Sequence, residues 1–281
     1  MALPDYIIVG AMKCGTSTLA AQLGAQKGLF MTDPKEPNFF SDDPVHAKGI
    51  DWYERLFDAA EPGDLKGEAS THYTKYPTYP EALDRLARVI TQPKLIYMIR
   101  NPLARAVSHY MHEWSQGVIS TDIEQALHSH PEIEAYGCYA AQITPWVERF
   151  GTDNVLVLSM ENMQRNPQGI LDQTGDFLGR PGLVWQDDLG PVNVSAERTR
   201  RFPLHGLLVG NPVATALRRT LVPQSLRDRI KASRQMQTRP VLSPAQTARL
   251  TEVYTADYTR LKTLFPDRPD LDLSYGFLHH G

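Results

Sequence analysis

Residues 10–17 read GAMKCGTS, two glycines bracketing a loop with a lysine inside it. A glycine-bounded loop between a strand and a helix turns successive backbone N–H groups toward an anion, and the helix N-terminus adds positive potential. The run nearly spells G-x-x-x-x-G-K-[ST], which holds a nucleoside triphosphate with a lysine after the second glycine and a hydroxyl on magnesium. Here Thr16 stands at the lysine position and Lys13 lies within the loop. No acid closes the apolar run LIYMI at 95–99; Arg100 follows it instead. A cradle without an evident magnesium system suits a transferring group of low charge. Sulfuryl carries one negative charge where phosphoryl carries two, so a lysine and backbone amides suffice.

The second cluster is RNPLARAVSHY, 100–110. Asn101 is a helix cap and Pro102 suits a first turn, which leaves Arg100 at a strand end over the sheet. Along this helix Leu103, Val107, Tyr110 and Trp114 form an apolar stripe. Asn101, Arg105, Ser108 and His112 form a polar one, expected to turn toward a ligand, with Arg105 the member best suited to a structural ion pair.

The elements that must position these groups follow from the pattern around them. YIIVG (6–10), LIYMI (95–99) and VLVLS (155–159) lack the alternation of half-exposed strands and read as parallel strands covered on both faces. Helix-period stretches alternate with them, so the expected class is α/β with a parallel sheet. Ligands in such sheets bind beyond the carboxyl ends of the strands, where both clusters fall. Residues 243–265 are a further amphipathic helix. The run 204–240, arginines among apolar residues and prolines, reads as a helical insertion or lid in a single domain spanning 1–281.

Composition bounds the rest. The chain has 281 residues, 42% of them hydrophobic, enough for a sizeable core. Its net charge of -3 argues against a nucleic-acid binder. Cys14 and Cys138 are too few for a disulfide framework, and the apolar run near the N-terminus is too short for a signal core or a span. The expectation is a cytoplasmic protein with no stable membrane insertion. His128 and His130 read as a solvated turn, and no metal site is expected. Oligomeric state has no signal.

The motifs resemble those of the sulfotransferases that use 3′-phosphoadenosine 5′-phosphosulfate (PAPS), and most closely the branch containing heparan sulfate sulfotransferase domains and their bacterial relatives. GAMKCGTSTL looks like the 5′-phosphosulfate loop and RNPLARAVSHY like the 3′-phosphate motif R-[ND]-P-x-x-R-x-x-S-x-Y. KEPNFF (35–40) with GIDWYERLF (49–57) resembles the acidic substrate motif and the G-[IL]-[DE]-W-Y block. GEASTHY (67–73) stands where relatives have E-K-T-P-S-Y, and SAERTRRFP (195–203) resembles a late basic loop. The resemblance implies a P-loop-like three-layer fold, a central parallel sheet flanked by helices. It implies PAPS as sulfuryl donor, no metal, and a hydroxyl or amine acceptor on a carbohydrate, lipid or small metabolite.

Carried over by position, Lys13, Cys14, Gly15, Thr16, Ser17 and Thr18 would hold the 5′-phosphosulfate, and Arg100 with Ser108 the 3′-phosphate. Arg198, Thr199, Arg200 and Arg201 fall in the late loop, and Glu36 matches the glutamate that takes the acceptor's proton. Three positions depart from the pattern: Ala69 replaces the lysine of E-K-T-P, and Arg198 and Thr199 replace the late-loop lysine and glycine. His72 is the second candidate base, because STH resembles the K-T-H segment of the small-molecule branch and histidine titrates near neutrality. Glu36 is the first choice, with geometry the deciding criterion. The rival readings are a P-loop nucleotide kinase and a non-catalytic adenine-nucleotide binding protein of the same fold.

Overall fold

The structure is a computed structural model that describes residues 3–190, 236 and 238–279. Five strands, β1 (Tyr6–Gly10), β2 (Leu29–Met31), β3 (Leu65–Ala69), β4 (Lys94–Ile99) and β5 (Val155–Ser159), form one sheet in the order β2-β3-β1-β4-β5. All four pairings are parallel. The three apolar runs are β1, β4 and β5, and every residue of β1 is buried, which is why no alternation shows.

The other two strands carry weaker signals. β2 is three residues long. β3, LKGEA, is a buried strand of polar composition that two local devices make possible. Gly67 leaves room for the Tyr6 ring, since a Cβ there would lie 2.2 Å from Tyr6 Cζ. Glu68 is enclosed by hydroxyl donors, described below.

Helices flank the sheet: α1 (Thr16–Gly24), α2 (Asp43–His46), α3 (Ile50–Glu54), α4 (Ala82–Val89), α5 (Pro102–Gln116), α6 (Ile123–Ser129), α7 (Glu132–Ala135), α8 (Tyr139–Phe150), α9 (Met160–Arg165), α10 (Pro167–Leu178) and α11 (Pro244–Leu264). The main core joins the sheet to α1, α8 and α10 through residues such as Ile8, Leu19, Ile143 and Leu171. A second core packs α5, α6 and α11 around Val107, Leu127 and Tyr254. Each large apolar side chain buried in this way contributes about 1.5–3 kcal/mol. Asp257 on α11 accepts from the Ala140 and Ala141 N–H groups at 2.9 and 3.0 Å, capping α8 from far along the chain. The helix expected over 243–265 is α11, with Ser243 accepting from Gln246 N–H as its cap.

The connections after β1 and β4, neighbours in the sheet, lead to opposite sides of it. This is the switch point at which an open α/β sheet leaves a crevice at its carboxyl edge. Among the described residues no helix is long and apolar enough to cross a membrane. Of the expected insertion at 204–240, all but 236 and 238–240 lies outside the described residues, as do Arg198, Thr199, Arg200 and Arg201.

Candidate active site

The loop after β1 is shaped by two left-handed residues, Lys13 (φ 69°) and Gly15 (φ 86°), directly ahead of α1. Gly15 suits that conformation and also packs closely on α9, since a Cβ would meet Met163 Cε at 2.9 Å. Among the described residues no side chain caps α1. Helix geometry gives the Thr16 and Ser17 N–H groups no intrahelical acceptor, and Thr18 and Leu19 both donate back to the Gly15 carbonyl. The Lys13, Ser17 and Thr18 side chains are half-buried and Thr16 is buried. Cys14 turns the other way: its Sγ is fully buried, 3.4 Å from the Tyr139 hydroxyl, so only its backbone faces the loop. Burial pushes that thiol up to about 11.

Arg100 closes β4 beside this loop, and its Nη1 donates to the Lys13 carbonyl at 3.3 Å. Asn101 caps α5 by accepting from Ala104 N–H at 3.0 Å, and its own N–H donates to Glu161 at 2.9 Å. Tyr139 of α8 fastens both loops. Its hydroxyl donates to the Arg100 carbonyl at 2.7 Å while lying against Cys14. Ser108 is buried two turns into α5. Burial, and then the neighbouring Arg100 guanidinium, bring the Lys13 ammonium down to about 8. Two cations beside a helix N-terminus sum to a local positive potential, so these residues fit a nucleotide's phosphate groups.

A second arrangement lies across the edge of the sheet. Glu36 and Asn38 hold left-handed φ values of 62° and 54°, a conformation asparagine tolerates but one that costs a residue such as glutamate about 1–2 kcal/mol. Hydrogen bonds to β3 and its extension hold them there. Glu36 N–H donates to the Ala69 carbonyl at 3.0 Å, and Asn38 N–H to Ser70 Oγ at 3.0 Å. Behind them the fully buried Glu68 accepts from Tyr53, Tyr73 and Ser70 at 2.7, 2.8 and 2.9 Å. Burial raises its carboxyl to about 7 against those three donors.

Glu36 Oε1 accepts from Lys35 at 2.6 Å and from Thr71 at 3.3 Å. Burial acts to raise its pKa, but Lys35, Lys75 and His72 outweigh it and hold the carboxyl low. His72 sits on the 3-10 turn Thr71–Thr74 with Nδ1 2.9 Å from Asp42 Oδ1 and its ring stacked on Tyr79. Burial and Lys75 hold the ring below the ordinary histidine value, opposed by Asp42 and Glu36. Lys75 itself is buried and brought down to about 8 by that burial, while Glu36, Glu113 and Asp42 act to raise it. Lys13 depresses His112 after burial, so α5 borders both arrangements.

A family model described as a sulfotransferase domain matches residues 3–200. The chain belongs to the sulfotransferase family. It is 30% identical over 205 residues to heparan sulfate glucosamine 3-O-sulfotransferase 3B1 of Mus musculus, covering 65% of this chain and 47% of that protein. It is 26% identical over 196 residues to bifunctional heparan sulfate N-deacetylase/N-sulfotransferase 1 of Xenopus laevis, 63% of this chain and 22% of that one. The matched region is thus about half or less of these relatives' length. Among solved structures, a sulfotransferase from Alicyclobacillus acidocaldarius superposes with a TM-score of 0.66 at 25% identity, covering 94% of this chain and 96% of that one. The sulfotransferase domain from the curacin biosynthetic pathway shares the fold, with a TM-score of 0.53 at 17% identity over 91% and 99%. The family, the fold and the enzyme class expected from the sequence agree with these findings.

The sulfotransferase brings Lys13, Gly15, Thr16, Ser17 and Arg100 together, and sets Glu36 and His72 on the facing arrangement. The structural role expected for Arg105 holds, with a carbonyl as its partner in place of an ion pair. Arg105 does not turn toward a ligand with its helix stripe; it is fully buried and donates to the Ile133 carbonyl, close to His109 Nδ1 at 3.4 Å. A carbonyl at the start of α7 needs a donor there, and the helix periodicity carries no sign of it. Sequence reasoning passed over Asp42, Lys75, Tyr139 and Glu161. Lys75 stands two residues past the quoted GEASTHY, and Asp42 two past KEPNFF. The others have no local signal.

Proposed function

We propose that this sulfotransferase transfers a sulfuryl group from PAPS to a hydroxyl or amine acceptor. The observation that carries the reading is the junction of two loops at the sheet's carboxyl edge, Arg100 Nη1 on the Lys13 carbonyl at 3.3 Å. When bound, PAPS supplies a sulfuryl group on a phosphate leaving group. Lys13 and the amides of Gly15, Thr16 and Ser17 hold positive potential where that phosphate gathers charge. Arg100 and Ser108 hold the 3′-phosphate and so fix the register of the nucleotide.

Of the two candidate bases, the geometry supports His72. Glu36 is engaged by Lys35 at 2.6 Å, and against its burial that ammonium with Lys75 and His72 holds its carboxyl below the ordinary carboxylate value, which lowers its basicity. In this reading Glu36 orients the acceptor rather than deprotonating it. Asp42 and Tyr79, the two side chains that hold the His72 ring, also line a cleft of about 480 Å³ with Ser41, Thr78, Glu81 and Arg85. Its lining carries three carboxylates, Asp42, Asp43 and Glu81, against the Arg85 guanidinium, which Asp43 binds at 2.6 Å. The acceptor class stays as the motifs imply, a hydroxyl or amine on a carbohydrate, a lipid or a small metabolite.

Calorimetry with the product nucleotide, 3′-phosphoadenosine 5′-phosphate (PAP), tests the donor site. PAP should bind more tightly than adenosine 5′-phosphate, and equal affinity for the two removes the reading. Labelled PAPS offered with neutral sugars, amino sugars and heparan sulfate tests the acceptor class. Labelling of none of them by a protein that binds PAP would count against transfer to these acceptors.

A further inference from the structure

Two side chains hold the His72 ring, and a buried ammonium acts on it from its own segment. Asp42, just ahead of α2, meets Nδ1 with Oδ1 at 2.9 Å. The Tyr79 ring stacks on the imidazole with centroids 4.5 Å apart and planes 13° from parallel. Lys75, three residues further along the same segment, is buried, with its ammonium 6.0 Å from the Tyr136 ring centroid. The charges acting on the ring come from each element packed around it. Glu36, itself paired with Lys35, and Asp42 lie on the segment after β2, and Lys75 lies on the ring's own segment. Glu113 of α5 acts on Lys75.

A neutral imidazole has one N–H and one lone pair, and which nitrogen carries which is set by the partner of the other. A carboxylate only accepts, so Asp42 selects the tautomer with the proton on Nδ1. We propose that Asp42 is a positioning residue for proton removal from the acceptor, its carboxylate holding the His72 Nδ1–H so that Nε2 is the ring's one lone pair. The proposal rests on the reading of His72 as base. The acceptor O–H or N–H bond breaks toward Nε2, and its electron pair forms the bond to sulfur. The pair of the breaking S–O bond leaves on the phosphate. Asp42 stabilises the resulting imidazolium and stays ionised. Tyr79 holds the ring plane, and Lys75 opposes early protonation, so the ring meets the acceptor neutral.

The test uses the full-length protein labelled with ¹⁵N-histidine, whose long-range ¹H–¹⁵N spectra distinguish the two tautomers and follow each ring's titration. His72 should be neutral at pH 7 with its proton on Nδ1. Asp42→Asn, whose amide can donate to Nδ1, should move the proton to Nε2 and lower the ring's pKa. Lys75→Met should raise that pKa and leave the tautomer unchanged. A wild-type ring protonated on Nε2, or charged at pH 7, overturns the proposal even if neither variant folds. The proposal is equally overturned if Asp42→Asn folds, judged by the unchanged signals of the other histidines, and leaves the tautomer as it was. A separate arm tests the base reading. His72→Gln should lose at least 100-fold in single-turnover transfer from PAPS with PAP affinity retained. Transfer at the wild-type rate removes the base, and with it Asp42's role, whatever the spectra show.

Discussion

The two arrangements at the carboxyl edge of the sheet solve different problems with different materials. The donor side is built from backbone: a left-handed loop, the uncapped start of α1, and two cations, Lys13 and Arg100, tied down through Tyr139. The acceptor side is built from side chains that hold one another, with Glu36 on Lys35, His72 on Asp42 and Tyr79, and Glu68 beneath them in a cage of hydroxyls. Phosphate recognition needs only positive potential in a fixed shape, which amides and short spacings provide. Moving a proton needs a group whose protonation is poised, and that takes burial and charged neighbours from several segments.

The contrast predicts that acceptor-side variants change rate and donor-side variants change nucleotide affinity as well. The largest effect belongs to His72→Gln, with turnover down about 10²–10⁴-fold and PAP affinity unchanged. Glu36→Gln should be milder, and the reverse order in single-turnover measurements would return the base to Glu36. Lys13→Ala should slow transfer by about 10²–10³-fold and weaken PAP binding by less, the mark of a contact that strengthens as the leaving group gathers charge. Arg100→Ala should weaken PAP by about 1.5–3 kcal/mol in calorimetry while leaving adenosine 5′-phosphate nearly unaffected. Loss of affinity for both nucleotides alike would mean that the guanidinium serves the loop rather than the 3′-phosphate.

A last effect is on stability rather than on turnover or nucleotide affinity. The folded Glu68 carboxyl titrates near 7, above the ordinary carboxylate value of 4.5. Between those values the folded chain keeps a proton that the unfolded chain has lost, so its stabilising contribution is present at low pH and lost as pH rises through about 7. The span corresponds to something on the order of 3 kcal/mol. Glu68→Gln keeps the size and an acceptor oxygen, and should flatten the fall in melting temperature between pH 5 and 8. An unchanged slope would place the buried charge elsewhere.

The same division explains what could be read from the chain alone. GAMKCGTS and RNP were legible because each is a local device whose residues act within a single turn of one another. So was α11, although its Ser243 cap was not singled out. β3 was not legible as a strand, because its buried glutamate is made tolerable by Tyr53 and Tyr73, which lie outside it. Asp42 and Lys75 are ordinary surface residue types until folding sets Asp42 against His72, thirty positions away, and encloses Lys75 near Tyr136. Arg105 was legible as structural from its helix position, but its partner, a carbonyl on another segment, was not. Spacing records contacts within an element, and chemistry assembled across elements leaves no period to detect.

Cys14 offers a clock for the donor loop. Its sulfur sits beneath the residues expected to grip phosphate, fully enclosed, and burial keeps it in the unreactive thiol form at neutral pH. An alkylating reagent can therefore reach it only during excursions in which the loop lifts from Tyr139. The rate of its modification counts those excursions directly, and the slowing caused by PAP measures how much of the loop's time nucleotide binding removes from the open state.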